Sequence, residues 1–262
     1  MTMTGIRSTG MNFELDTSLA AGYTSKSQKI RIMSEAWVRD NMYCPCCGNY
    51  RIRKLPNNSP VADFLCEECG AIFELKSTGV DKRKISDGAY STMIKRITGF
   101  NNPHLFVMRY RADYIISWLS FVPNFFFVPS IIEPRAPLSA NAHRAGWVGC
   151  NILYSEIPAQ GKIILIDNFH LTDIRSAVNS YNNMKKSELE NIEQRGWVLD
   201  VMSCVNRLPC EFTLRDVYRF ADLLKSKHPA NHNINAKIRQ QLQVLRDMGV
   251  IRFLGNGHYR RL

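Results

Sequence analysis

Seven side chains between Cys44 and Lys76 have the types and spacing to do chemistry. Cys44 and Cys47 form one Cys-x-x-Cys pair, and Cys66 and Cys69 form a second after eighteen intervening residues. Zinc takes four soft ligands tetrahedrally, and a two-residue gap lets one tight turn present two thiolates, so this spacing fits a zinc ribbon. Threaded through the cysteines are Asp63, in Pro60-Val-Ala-Asp63, and Glu74 and Lys76, in Phe73-Glu-Leu-Lys76. Two such carboxylates can hold Mg²⁺ while leaving positions for water and a phosphate oxygen. The ion would act as a Lewis acid and lower the pKa of its water. Lys76 can position that water or offset charge in the transition state. The combination points to cleavage of nucleic acid.

Each signal has a plainer alternative. Cys46 offers competing choices, Cys44-x-Cys46 and Cys46-Cys47. Cys44 and Cys47 are preferred because Gly48 and Gly70 each follow the second cysteine of a pair, where a knuckle turn relaxes. The alternative to zinc is scattered reduced thiols or a disulfide. Four protein ligands leave no open position for water, so the zinc would be structural and would pin the loop between Asp63 and Glu74. Cys150, Cys204 and Cys210 stand beside apolar residues and read as buried core thiols. The Asp…Glu-x-Lys pattern alone is weak in a chain with 23 acidic and 34 basic residues. The alternative is ordinary strand-end charge, and the apolar flanks of Glu74 and Lys76 argue against it.

The elements that must position these groups are legible in outline. Val61–Leu65 and Ala71–Lys76 have the character of short buried strands. Period-two alternation places Glu74 and Lys76 on one face and Leu75 on the other, and an adjacent strand would bring Asp63 alongside. The pattern predicts a helix over Ser25–Asp40, with Ile30, Met33, Ser34 and Trp37 on one face, and another over Asp87–Arg96. Strands are expected at Leu105–Met108, Phe125–Val128 and Lys162–Ile166, and loops around Pro129, Pro134 and Pro137. Asn179–Asn191 is polar and reads as a linker.

The residues beyond it change character. A helix is expected at Trp197–Val205. Thr213-Leu-Arg-Asp216 begins a second as a capping box, with Leu214, Val217, Phe220 and Leu224 inward. Ile234–Met248 forms a third, with Ile234, Ile238, Leu242 and Leu245 inward. A hairpin over Val250–Leu262 turns at Gly255-Asn-Gly257. Three helices followed by a hairpin is the order of a winged helix. Its third helix would enter a major groove, with Asn235, Ala236, Arg239, Gln240 and Gln243 outward. Arg252, Arg260 and Arg261 on the wing suit phosphate contact, against the alternative of a solvated face in a protein–protein module. The chain therefore divides into residues 1–191 and 192–262.

Composition agrees. Net charge is +11 over 262 residues, with residues 192–262 carrying +6 of it, which suits an anionic partner. No run of eighteen apolar residues marks a membrane span. The first ten residues lack the apolar core of a signal peptide and read as a flexible extension. Reduced cysteines and no export signal imply the cytoplasm.

After residue 12 the chain resembles the DpnI-like methyl-directed restriction endonucleases. The matching segments include Trp37-Val, Tyr43-Cys-Pro, Pro60-Val-Ala-Asp-Phe, Phe73-Glu-Leu-Lys-Ser, Asp87-Gly-Ala-Tyr and Asn101-Asn-Pro. Further matches are Arg144-Ala-Gly-Trp-Val-Gly-Cys-Asn, Glu211-Phe-Thr-Leu and Ile238–Asp247. The resemblance implies an α+β fold: a PD-(D/E)xK nuclease core with a mixed sheet and an embedded zinc ribbon, then a C-terminal winged helix. It implies Mg²⁺-dependent blunt cleavage of double-stranded DNA at GATC carrying N6-methyladenine. Asp63, Glu74 and Lys76 match the catalytic motif, the four cysteines match the zinc ligands, and Trp147 matches an aromatic reader of the methyl groups. Cys46 and the wing, with His258 near its tip, depart from the family pattern, as do the first ten residues.

Methyl sensing favours two readers. Burying one methyl is worth about 0.8 kcal/mol, so two domains each sensing both methyls of a palindrome would gather roughly 3 kcal/mol, on the order of a hundred-fold. Trp147 would supply an apolar wall in the first domain and the third tail helix the second reader. The alternative for Trp147 is a core tryptophan. Two rival functions are a methyl-DNA-binding regulator, which would not need Asp63, Glu74 and Lys76, and an RNA-binding zinc-ribbon protein, which would need an aromatic stacking face. No obligatory protein partner is expected, so the chain reads as a monomer.

Overall fold

The computed structural model describes residues 11–56, 62–99, 102–185 and 191–262. In chain order the first elements are α1 (Lys26–Asn41), β1 (Arg53–Lys54), β2 (Phe64–Leu65), β3 (Ile72–Thr78), β4 (Ile85–Ala89), α2 (Tyr90–Thr98), β5 (His104–Tyr110) and β6 (Ile116–Val122). There follow β7 (Ile132–Pro134), β8 (Gly149–Ile152), β9 (Ile163–Asp167), β10 (His170–Leu171) and α3 (Ile174–Lys185). The remainder are α4 (Ile192–Asn206), β11 (Glu211–Thr213), α5 (Leu214–Tyr218), α6 (Ala221–Lys227), α7 (Ile234–Asp247), β12 (Ile251–Gly255) and β13 (His258–Arg261). The fold is mixed α+β, as expected. No helix among the described residues is long and apolar enough to cross a membrane.

Two compact units emerge. The first gathers the described parts of Met1–Asp81 with Pro103–Phe121 and Ile164–Arg175. It carries a mixed seven-stranded sheet in the order β1-β2-β3-β5-β6-β9-β10. β2 runs antiparallel to β3, whereas β3 and β5 are parallel, with Lys76 opposite Val107 and Thr78 opposite Arg109. One face is sealed by aromatic packing: Phe73 stacks on Phe106 with ring centroids 4.9 Å apart, and Phe121 and His104 complete the cluster. Burying these rings fixes which way β3 faces, because a slip of one residue would expose every one of them. α1 buries Ile30, Met33, Ser34 and Trp37, the stripe its spacing predicts, and the Trp37 indole N–H donates to the Asn12 carbonyl.

The second unit gathers the described parts of Lys82–Asn102, Val122–Ile163 and Ser176–Leu262. It holds an antiparallel sheet in the order β4-β8-β7 and a C-terminal winged helix whose sheet runs β11-β13-β12. Thr213 and Asp216 form the expected reciprocal capping box at α5. Ile238, Leu242 and Leu245 of α7 are buried, and the hairpin turns at Asn256-Gly257, both left-handed.

Several expectations need correction. Asp87–Ala89 belongs to β4, and the helix is shifted to Tyr90–Thr98, because β8 supplies a cross-strand partner that sequence alone hides. Phe125 and Phe126 lie in a 3-10 turn, Asn124–Phe126, although Phe126 and Phe127 are buried. Pro129 opens a 3-10 turn and Pro134 ends β7, an edge strand where the missing N–H costs no ladder bond. Asn179–Lys185 is the end of a helix, not a linker, since Ala177, Tyr181 and Met184 recur at helical spacing and are buried. The second tail helix breaks into α5 and α6 at Arg219–Phe220. Ile234 is only half-buried, and Cys210 is exposed, whereas Cys150 and Cys204 are core thiols. Val61, Pro60, residues 1–10 and residues 186–190 of the expected linker lie outside the described residues.

Candidate active site and nucleic-acid interface

Asp63 immediately precedes β2, and its backbone is held on both sides: its N–H donates to Phe73 O at 2.8 Å and its carbonyl accepts from Leu55 N–H at 2.7 Å. Its carboxylate accepts the Leu75 N–H at 2.8 Å. β3 then presents Glu74 and Lys76 on one face with Leu75 buried between them, and Lys76 Nζ sits 2.7 Å from Glu74 Oε1. The alternation of a strand anchored by Phe73 thus delivers what the motif requires.

Two further residues that sequence reasoning missed enter from α1, and a third from β1. Glu35 is buried, with a carboxylate 2.5 Å from Arg31 Nε and 2.7 Å from Lys54 Nζ. Arg31 also reaches Asp63, 3.8 Å away. A signal existed: Arg31 and Glu35 are four residues apart, and Glu35 immediately precedes the apolar run Ala36-Trp37-Val38. Burial pushes the Asp63 carboxyl above the ordinary carboxylate range, and the Glu35 charge adds to the rise. The Leu75 N–H, Lys76 and Arg31 pull the other way. Half-buried, cation-flanked carboxylates of this kind suit a hard divalent cation.

The four sulfurs of Cys44, Cys47, Cys66 and Cys69 lie within 4.8 Å of one another. Cys44–Cys69 and Cys47–Cys66 are each 3.6 Å apart, close to the roughly 3.8 Å that tetrahedral bonds of about 2.3 Å to zinc would impose. Gly48 and Gly70 both have left-handed φ, +82° and +72°, which lets each knuckle fold back on itself. The Cys46 sulfur stands outside this group of four, 3.6 Å from His104 Nε2 in the core, so the cluster is the one anticipated. Burial raises the Cys69 thiol and brings Cys47 up to about 11. Four thiolates at this spacing need a cation to be held together.

In the second unit, Trp147 is half-buried at the base of the loop 138–147. That loop is closed by Leu138 N–H to Trp147 O and Gly146 N–H to Leu138 O. The indole lies over Gly149, where an added Cβ would meet the ring at 2.8 Å, and the Arg144 guanidinium sits 4.9 Å from its centroid. Trp147 is therefore intermediate between a core and a surface residue, with Gly149 and Arg144 against its ring.

On α7, Asn235, Ala236, Arg239, Gln240 and Gln243 are all exposed. A shallow depression between α6 and the start of α7 is lined by Asp222, Lys225, Asn235 and Arg239. Arg239 already donates to the Tyr218 hydroxyl at 2.8 Å. On the wing, Arg252 is exposed, Arg260 is bonded to Glu211, and Arg261 caps α4 by donating to the carbonyls of Val205, Asn206 and Leu208. Among the described residues Arg252, unlike Arg260 and Arg261, makes no side-chain hydrogen bond or ion pair.

Comparison with known families places the whole chain. The DpnI model, described as the Dam-replacing family, matches residues 11–190, and the model described as the Dam-replacing HTH domain matches residues 193–261. The chain thus belongs to the Dam-replacing (DpnI) family of methyl-dependent restriction endonucleases.

Proposed function

We propose that the protein cleaves double-stranded DNA at GATC sites carrying N6-methyladenine, by Mg²⁺-dependent hydrolysis of a phosphodiester. The observation that carries this is Asp63 tied to β3 beside Glu74 and Lys76, in a chain of a restriction-endonuclease family. Asp63 and Glu74 would hold Mg²⁺, which supplies Lewis acidity and a more acidic water when bound. Lys76 orients the attacking water and offsets charge on the phosphorane-like transition state. Arg31 and Lys54, held by Glu35, keep the carboxylates in a cationic surround that also favours approach of the DNA backbone.

In this reading the catalytic PD-(D/E)xK domain spans residues 1–191 and the DNA-binding winged helix residues 192–262. Structural Zn²⁺ sits on Cys44, Cys47, Cys66 and Cys69. Trp147 reads methyl groups in the first domain. Asn235, Ala236, Arg239, Gln240 and Gln243 read the groove from α7, with Arg252 and Arg260 toward phosphate. The protein works as a cytoplasmic monomer.

The test is one plasmid prepared with and without adenine methylation at GATC, incubated with the protein and Mg²⁺, and with Lys76→Ala as control. Cutting of the methylated form alone, lost in the control, is the expected result. Tight binding to methylated DNA without cutting would replace the nuclease with a methyl-DNA-binding regulator. Equal cutting of both forms would remove the methyl requirement.

A further inference from the structure

The catalytic face of the sheet continues past Lys76, and it carries an arginine built to hold a phosphate. Thr78 follows Lys76 by two residues and so shares its face, and Thr78 is the register partner of Arg109 on β5. Strand rise and strand spacing put the Arg109 Cα about 8 Å from that of Lys76, within reach of a phosphate adjoining the one beside Lys76. The Arg109 guanidinium carbon lies 4.5 Å above the Trp118 ring. Stacking fixes the guanidinium plane while leaving its N–H edge available, the arrangement that suits bidentate contact with phosphate oxygens.

The edge is lightly held. Arg109 Nη1 is 3.3 Å from Asp81 Oδ2, and the Asp81 side chain is 77% exposed. Asp81 reaches it because the chain turns after β3, where the Thr78 hydroxyl donates to Val80 O and accepts the Val80 N–H. A pair whose anionic partner is this exposed contributes little to stability and is readily exchanged for another anion. Arg109, Trp118, Asp81 and Lys76 all belong to the first unit.

We infer that Arg109, stacked on Trp118, binds a DNA backbone phosphate next to the scissile one, and that Asp81 occupies the guanidinium until DNA displaces it. This rests on the reading of Asp63, Glu74 and Lys76 as the nuclease site. None of Arg109, Trp118 and Asp81 belongs to a motif singled out in the sequence.

The experiment compares wild type, Arg109→Ala, Arg109→Lys, Asp81→Asn and the Asp81→Asn/Arg109→Ala double variant, each as the full chain. One arm measures cleavage of a short duplex with a single fully methylated GATC in Mg²⁺. The other measures binding of that duplex in Ca²⁺ by fluorescence anisotropy, over a range of salt. Arg109→Ala is expected to raise KM about ten-fold with a smaller change in kcat, and to make the slope of log affinity against log salt shallower by about one. Arg109→Lys should recover the salt slope but only part of the KM, since an ammonium does not stack as a guanidinium does. Asp81→Asn should lower KM, and that gain should vanish in the double variant. Unchanged KM and salt slope in Arg109→Ala, or an Asp81→Asn gain that survives it, overturns the inference. Should Arg109→Ala fail to fold, the Asp81→Asn and Arg109→Lys arms decide alone: no gain in the first and no KM change in the second overturn it. If wild type binds but cuts nothing while the Arg109 slope shift persists, the nuclease reading fails and the phosphate contact stands.

Discussion

The Asp63 carboxylate accepts the Leu75 N–H at 2.8 Å while the Asp63 N–H donates to Phe73 O, so one residue brackets β3 on either side of Glu74. The acid side chain satisfies a strand amide and is fixed by it. Its position therefore depends on the sheet and not on a flexible rotamer, as the proposed role in holding Mg²⁺ would require.

That fixation has a stability cost at neutral pH. Burial and the Glu35 charge raise the Asp63 carboxyl, so ionised Asp63 is less favourable in the fold than in the unfolded chain. The cost is absent below the unfolded value of about 3.9 and complete above the folded value. Asp63→Asn keeps an acceptor for Leu75 and removes the charge. It should cut activity by about 10²-fold or more, yet raise the melting temperature at pH 7 by a few degrees, with the gain disappearing near pH 4. Thermal unfolding at the two pH values checks the sign.

Glu35 acts on the same group through space. Its charge raises Asp63, so Glu35→Gln should move the acid limb of the pH–rate profile to lower pH. It also removes the shared partner of Arg31 and Lys54 and should cost about 1–2 kcal/mol of stability, since both cations keep some access to water. An acid limb that stayed in place would disconnect Glu35 from the site.

What sequence made legible follows from how local each feature is. The knuckles, the Glu74/Lys76 alternation, the Thr213 capping box and the α7 stripe are set within a few residues and can be read along the chain. Glu35 and Asp63, 28 positions apart in sequence, converge only because α1 packs on β1 and β3, and nothing local announces that. Phe125-Phe-Phe-Val is apolar enough for a strand, but apolar character reports burial and not backbone conformation, and the chain there turns in 3-10 form. Asn179–Lys185 failed for the opposite reason: its polar residues mask a helix held by three inward side chains.

The cysteine cluster separates ligands from bystanders. Cys69→Ser should abolish stoichiometric zinc and destabilise the segment carrying Asp63, whereas Cys46→Ser, whose sulfur faces His104, should keep one equivalent. Metal analysis of the purified variants decides, and loss of zinc in Cys46→Ser would reopen the ligand choice. Chelation of the wild type should lower activity together with stability.

Trp147 and Gly149 form a second matched pair. Alanine at 149 would place its Cβ 2.8 Å from the indole, too close for contact, so the ring must move. If Trp147 walls off the methyl groups, Trp147→Ala should lose about ten-fold of the preference for methylated over unmethylated duplex, the worth of roughly two buried methyls. Gly149→Ala should lose part of it without removing an aromatic group. Ratios of kcat/KM on the two duplexes measure both, and full discrimination in Trp147→Ala would end the assignment.

The winged helix offers a test of local stability that leaves the catalytic groups untouched. Thr213 Oγ1 accepts the Asp216 N–H, and the Asp216 carboxylate accepts from Thr213 N–H and Oγ1, holding its own carboxyl below the ordinary range. Thr213→Ala breaks the reciprocal cap and should cost about 1 kcal/mol. Because the Asp216 carboxyl is lowered in the fold, its contribution is present above the unfolded value and is lost as pH falls through the folded one. The difference in melting temperature between wild type and Thr213→Ala should therefore shrink from pH 7 to pH 3, and a difference independent of pH would show that the hydroxyl alone supplies the cap.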